Sequence, residues 1–150
     1  MSKKHYAYGP ASYPTPHSVV GIDVTVLVAK DATDAHEITL QTGDVGSGPP
    51  PHSHPWDESF FVVKGAVRFT VEGETTEAKA GAFFHLPAGT VHGFCVQEPG
   101  TQMLEVTGAS SRSSAMFQSI SEEIAAGIPK PEDAPALIEI LGRYGAKVHV

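Results

Sequence analysis

Gly46-Ser-Gly-Pro-Pro-Pro-His52-Ser-His54-Pro-Trp-Asp-Glu58-Ser-Phe-Phe-Val-Val-Lys-Gly65 is the stretch on which the fold turns. His52 and His54 differ by two, so on an extended backbone both imidazoles project to one side, and Glu58, four further on, keeps that parity. Three ligand-type side chains can converge there. A fourth comes from Pro87-Ala-Gly-Thr-Val-His92, where His92 opens a later strand after a turn whose Pro and Gly set its geometry. Three neutral imidazoles and one carboxylate suit one divalent first-row metal, with Fe, Mn, Co, Ni, Cu and Zn all compatible with the ligand types. Four protein ligands leave room for water, substrate or dioxygen, unlike the closed Cys-rich sets of structural sites.

Around this stretch the sequence reads as strands. Residues 1–17, with Pro10, Pro14 and Pro16, read as an irregular arm. The β-branched run Ser18 to Lys30 and the weaker Ala35 to Thr42 read as strands. Ser59 to Val63 and Ala66 to Glu72 are expected to form a hairpin about Lys64-Gly65, and short strands follow at Glu77 to Lys79, Ala82 to Leu86, Gly93 to Val96 and Gln102 to Thr107. That spacing predicts an all-β sandwich or barrel over 18–110. Only residues 111–150 change period. Ser119-x-x-Glu122 reads as a capping box before Ile120, Ile124 and Ile128, with Gly127 and Pro129 as the stop. A second short helix is marked by Asp133 as N-cap, Leu137, Ile140, Leu141, Tyr144 and a closing Gly145, and a terminal strand follows in the same domain.

Composition narrows the partners. One domain fits 150 residues, and 15 glycines with 12 prolines favour short elements and turns. Ten basic against 17 acidic residues give a net charge of -7 with no basic cluster, so nucleic acid is not the expected partner. Cys95 is the one cysteine, no apolar run approaches the roughly 20 residues of a membrane helix, and no apolar stretch follows Lys3-Lys4 as in a secretion signal. The expected compartment is the cytoplasm.

The motifs resemble those of the cupin superfamily. The first is Gly46, five residues, His52-x-His54, three residues, Glu58, six residues, Gly65; the second is Gly81, five residues, Pro87-x-Gly89, two residues, His92. The second motif commonly ends in Asn where this chain has Val96, a departure that leaves the metal ligands untouched and makes the pocket less polar. The resemblance implies a double-stranded β-helix, a jelly-roll barrel, here with two short C-terminal helices. In general character the chain is similar to small single-domain cupins related to quercetin 2,3-dioxygenase. That implies a metal-dependent dioxygenase for a small aromatic or enolisable substrate, with His52, His54, Glu58 and His92 on the metal, Glu58 doubling as general base, and a homodimer paired through edge strands. Oxygen-independent isomerase, decarboxylase or lyase chemistry, and non-catalytic binding, are the alternatives.

Other residues take plainer readings. Phe60, Val62, Phe94 and Val96 share parity with Glu58 and His92 and are expected inside, as core or as an apolar substrate pocket. His5, His17, His36 and His149 read as packing or surface residues, His85 as a wall residue, and Asp57 as solvated loop. Trp56 either closes the mouth of the site or packs on its own turn. Cys95 reads as a small buried hydrophobe. Arg68 is the arginine considered as a clamp for an acidic substrate.

Overall fold

The structure, a computed structural model, describes residues 3–127 and 133–149. Its strands are β1 (His17–Val19), β2 (Ile22–Val28), β3 (Glu37–Gly43), β4 (His52–Ser53), β5 (Glu58–Lys64), β6 (Ala66–Val71), β7 (Glu74–Lys79), β8 (Phe83–Leu86), β9 (His92–Val96), β10 (Thr101–Thr107) and β11 (Lys147–Val148). The α-helices are α1 (Ser113–Ala125) and α2 (Ala134–Arg143), and Pro10–Ser12 form a single 3-10 turn in the N-terminal arm. A six-stranded sheet runs β1-β2-β3-β10-β5-β8 and a five-stranded sheet β11-β4-β9-β6-β7. All neighbours are antiparallel, and the two sheets face each other as a jelly-roll.

Alternation along the strands fills the space between the sheets. Phe60 and Val62 from β5, Val67 and Phe69 from β6, Phe94 and Val96 from β9, and Met103 from β10 are all buried in one cluster. Phe69 is its hub, stacked on Phe84 at 4.2 Å and edge-on to Phe60 at 5.3 Å between ring centroids. Burying one such ring contributes about 1.5–3 kcal/mol.

Three local expectations change. β5 and β6 form no hairpin: β5 pairs with β10 and β8, whereas β6 pairs with β7 and β9. The Gly65 turn hands the chain from one sheet to the other, which periodicity within each strand does not reveal. The run Ser18 to Lys30 is two strands, because Val20 and Gly21 both take positive φ (46° and 84°) and close a two-residue hairpin. Two positive φ values suit the twist of a tight hairpin, although a β-branched residue seldom adopts one. Helix α1 starts at Ser113 rather than at Ser119. Ser119 lies mid-helix with its hydroxyl on Tyr144 Oη, while Met116 and Ile120 bury against Ile140 of α2. Ile128 and Pro129 lie outside the described residues. Asp133 does cap α2, accepting from Ala136 N–H at 3.1 Å.

The interior is not uniformly apolar. Glu37, Thr39 and Gln41 of β3 and Glu105 and Thr107 of β10 are buried, a polar strip on the inner face of the larger sheet. Each has a partner. Thr39 Oγ1 donates to Glu105 Oε1 at 2.9 Å, and Gln41 Nε2 donates to Thr39 Oγ1 at 3.3 Å. Glu37 accepts from the hydroxyls of Ser113 and Ser114 in the first turn of α1, where a carboxylate also meets the positive end of the helix dipole.

Candidate metal centre

β4 and β9 lie side by side with His52 opposite His92, which places two of the histidines on neighbouring strands. His54 follows β4 in the turn to β5, and Glu58 is the first residue of β5. One nitrogen from each of His52, His54 and His92 falls within 4.8 Å of the others. Glu58 Oε2 lies 2.8 Å from His54 Nε2 and 2.6 Å from His92 Nε2. The structure thus gathers the four side chains singled out by motif.

Hydrogen bonds on the far side of each ring decide what it presents. His52 Nδ1 is 2.9 Å from Pro50 O, His54 Nδ1 3.0 Å from Trp56 O, and His92 Nδ1 2.9 Å from Thr90 O. A carbonyl oxygen only accepts, so each Nδ1 carries the proton and each neutral ring offers the Nε2 lone pair. Three lone pairs then meet a carboxylate, with no donor of their own. His92 Nε2 is buried and has no hydrogen bond of acceptable angle despite lying 2.6 Å from Glu58. Acceptors that close repel unless a cation or a proton lies between them. A divalent metal fits this set, and backbone carbonyls that orient ligand imidazoles are a usual support of such sites.

The ionisation pattern agrees. Burial, with His92 beside it, holds His52 down to about 4. Burial works against the charge of Glu58, but the close approach of the His54 and His92 rings, with Glu105 beside them, keeps its carboxyl well below the usual range. His92 is raised: burial alone would lower it, and the Glu58 carboxylate outweighs burial. Glu105 is pushed well above the carboxylate range by burial and then by the charge of Glu58, so it stands as a neutral acid beside an ionised one.

These directions set a pH dependence. Without metal, a proton shared by His92 and Glu58 does what the cation would do, and binding must expel it. Affinity for a divalent metal should therefore fall about tenfold per pH unit below the His92 pKa, which lies above the ordinary 6.5. His52 adds a second proton only nearer pH 4. Calorimetric titration in buffers of different ionisation heat should find about one proton released per metal near neutrality. Affinity that does not change across about pH 6 to 8 would contradict the assignment.

The remaining expected residues divide. Phe60, Val62, Phe94 and Val96 are all in the packed core, where the Phe60 ring lies 6.5 Å from that of His92 and gives the histidines an aromatic floor. Trp56 packs within its own turn, stacked on His54 at 4.4 Å and 8° with 1% of its surface exposed. Asp57 is more than solvated loop: its Oδ1 accepts from Ala88 N–H at 2.9 Å and ties the two motif loops together. His85 is exposed and bonded to Ser59, away from the cluster. Arg68 projects outward to Glu77, and Arg112 and Arg143 hold the C-terminal helices, so no arginine is available as an acid clamp.

Glu105, with Thr39 and Gln41 behind it, escaped the sequence reading. Its inward parity with Met103 and Thr107 was visible in β10, but the β10–β5 pairing that brings it to Glu58 was not.

Residues 36–106 match the profile of the Cupin domain family. Quercetin 2,3-dioxygenase of Bacillus subtilis is 32% identical over 75 residues, which is 49% of this chain and 22% of that enzyme. The matched part thus spans under a quarter of that curated relative. Among solved structures, KdgF from Halomonas sp. superposes with a TM-score of 0.58 at 26% identity, covering 63% of this chain and 85% of that one. An RmlC-like cupin from Shewanella frigidimarina superposes with a TM-score of 0.66 at 17% identity, covering 77% and 99%, a likeness of fold.

Proposed function

We propose that this protein, whose residues 36–106 are a cupin domain, is a metal-dependent dioxygenase acting on a small aromatic or enolisable substrate. The observation behind the metal is the meeting of three Nε2 lone pairs and the Glu58 carboxylate with no donor among them. His52, His54, His92 and Glu58 would hold one divalent transition metal. When bound, it supplies Lewis-acid activation of a substrate oxygen and a place for dioxygen. Support for the oxygen-dependent reading is the partial identity to a quercetin 2,3-dioxygenase, together with the aromatic floor and the remoteness of every arginine.

The chain's own residues divide the work. Glu58, kept ionised in a buried setting, accepts the proton of a substrate hydroxyl. Glu105 holds a proton next to it and limits the negative charge that collects there. Phe60 and Phe94, both buried in the core, exclude water beneath the ligands. To test the reading, protein loaded anaerobically with each candidate metal is given a panel of flavonols and diketones, and oxygen uptake is recorded. No uptake with any metal would sink it.

One observation favours oxygen-independent proton transfer as a second reading: Glu58 and Glu105 form an adjacent base and acid. Turnover of an enolisable substrate with no oxygen consumed would select it.

We also propose that two copies associate through the outer face of the six-stranded sheet. Phe61 of β5 and Phe83 of β8 pair there at 44% and 63% exposure, with Val63 at 42%. For a chain of net charge -7, an apolar patch is where a second copy meets least repulsion. A solution mass twice 15.8 kDa, reduced to 15.8 kDa by Phe83→Glu, is expected. A wild-type mass of one chain would overturn it.

A further inference from the structure

The segment that carries two of the ligands is poorly equipped to hold itself. Of the seven residues from Pro49 to Pro55, four are prolines, so only His52, Ser53 and His54 have backbone N–H groups to donate. β4 is two residues long and meets β9 at one residue pair. Strands that short are not stable without partners on both sides.

The second partner comes from the far end of the chain. β11 lies along the open side of β4, with Lys147 opposite Ser53 and Val148 opposite His52. The His149 N–H donates to Pro51 O at 2.8 Å, and Ser53 Oγ lies 2.7 Å from His149 Nε2. The register is anchored by the helices: Ala146 is buried with Met116, Ile120 and Ile140, and its N–H donates to Leu141 O at 3.1 Å. β11 lies outside the residues that match the cupin domain, so the extension completes a sheet in which the domain itself has left a ligand strand at the edge.

We propose that β11 is a positioning element of the metal centre: docking of residues 146–149 fixes the backbone of His52 to His54, metal affinity depends on that docking, and bound metal tightens it in return. The inference rests on the metal reading above. Because the coupling is between two binding equilibria, it is reciprocal. Supporting groups around metal ligands typically change affinity by about 10–100-fold, so a loss of about tenfold or more is expected when the strap is removed.

Zn²⁺ titrations compare the full chain, a chain ending at Gly145, His149→Pro and Lys147→Ala. His149→Pro removes both the N–H that reaches Pro51 and the imidazole on Ser53 and leaves the helices intact; Lys147→Ala changes an exposed side chain and no ladder bond. The shortened chain should bind about tenfold more weakly or worse, and His149→Pro should bind several-fold more weakly. Lys147→Ala should match the full chain, and Zn²⁺ should slow amide exchange at His149. A folded shortened chain and a His149→Pro chain with full affinity, or exchange at His149 indifferent to Zn²⁺, would overturn the proposal. If the shortened chain does not fold, His149→Pro and the exchange measurement decide. A full-length chain that binds no divalent metal removes the metal reading and this one together; a full-length chain that binds while β11 proves irrelevant removes this one alone.

Discussion

His54→Ala is expected to lower the affinity for a divalent metal by about 100-fold or more, about 2.8 kcal/mol at 1.4 kcal/mol per tenfold. The residue is buried, its ring is clamped between the Trp56 carbonyl and the Trp56 indole, and its Nε2 lies 2.8 Å from Glu58. Alanine removes one of three lone pairs, and no neighbour is placed to substitute for it. Elemental analysis of protein purified without added metal, followed by calorimetric titration, reads the effect. The thermal stabilisation that metal confers on the wild type, about 2.7 kcal/mol at 100 times its Kd, should fall to about 0.4 kcal/mol or less at the same concentration. His85→Ala is the control, since His85 is exposed and bonded to Ser59. Undiminished metal content in His54→Ala would remove the site.

Gly65→Ala is expected to cost about 3 kcal/mol of stability. The position has φ +85°, a conformation that costs an L residue about 1–2 kcal/mol. An added Cβ would also lie 2.2 Å from Thr101 Oγ1 and 2.7 Å from Thr101 Cα. Thr101 cannot yield easily. It is 1% exposed, and its hydroxyl donates to Glu98 O at 2.7 Å and accepts from Ala66 N–H at 3.2 Å. Overpacking of this kind adds about 1–3 kcal/mol. The midpoint of thermal unfolding should drop by about 10 °C, at roughly 2–4 °C per kcal/mol for a domain of this size. Gly73→Ala separates the two contributions, because Gly73 has φ +83° but nothing within 4 Å of the added carbon. It should lose only the conformational part, about 1–2 kcal/mol. Equal losses at the two positions would show that the Thr101 contact carries no weight.

Gly65 also marks the boundary between what was legible and what was not. Its place in the motif and its role as a turn were readable from composition. Which sheet the next strand joins was not, because a hairpin and a hand-over between sheets impose the same alternation on β5 and β6. Val20–Gly21 failed for a related reason: the β-branched Val20 disguised a turn whose positive φ values only the paired strands explain. The start of α1 was misread because Ser119 and Glu122 match a capping box locally, while the buried faces of Met116 and Ile120 extend the helix toward its N-terminus.

The sequence by itself determined the strand-rich class, the parity that aims His52, His54 and Glu58 to one side, the later turn that delivers His92, and the cap of α2. These are properties of neighbouring residues, set by a backbone that repeats every two residues in strands and every 3.6 in helices. Only the tertiary structure decided that Glu105 meets Glu58, that Thr39 and Gln41 stand behind it, that the Nδ1 atoms all face carbonyls, and that residues 147–149 brace the ligand strand. Each of those contacts, apart from the carbonyls near the histidines, joins residues far apart in the chain. Their pairing is selected by how two whole sheets pack, and no local pattern records it.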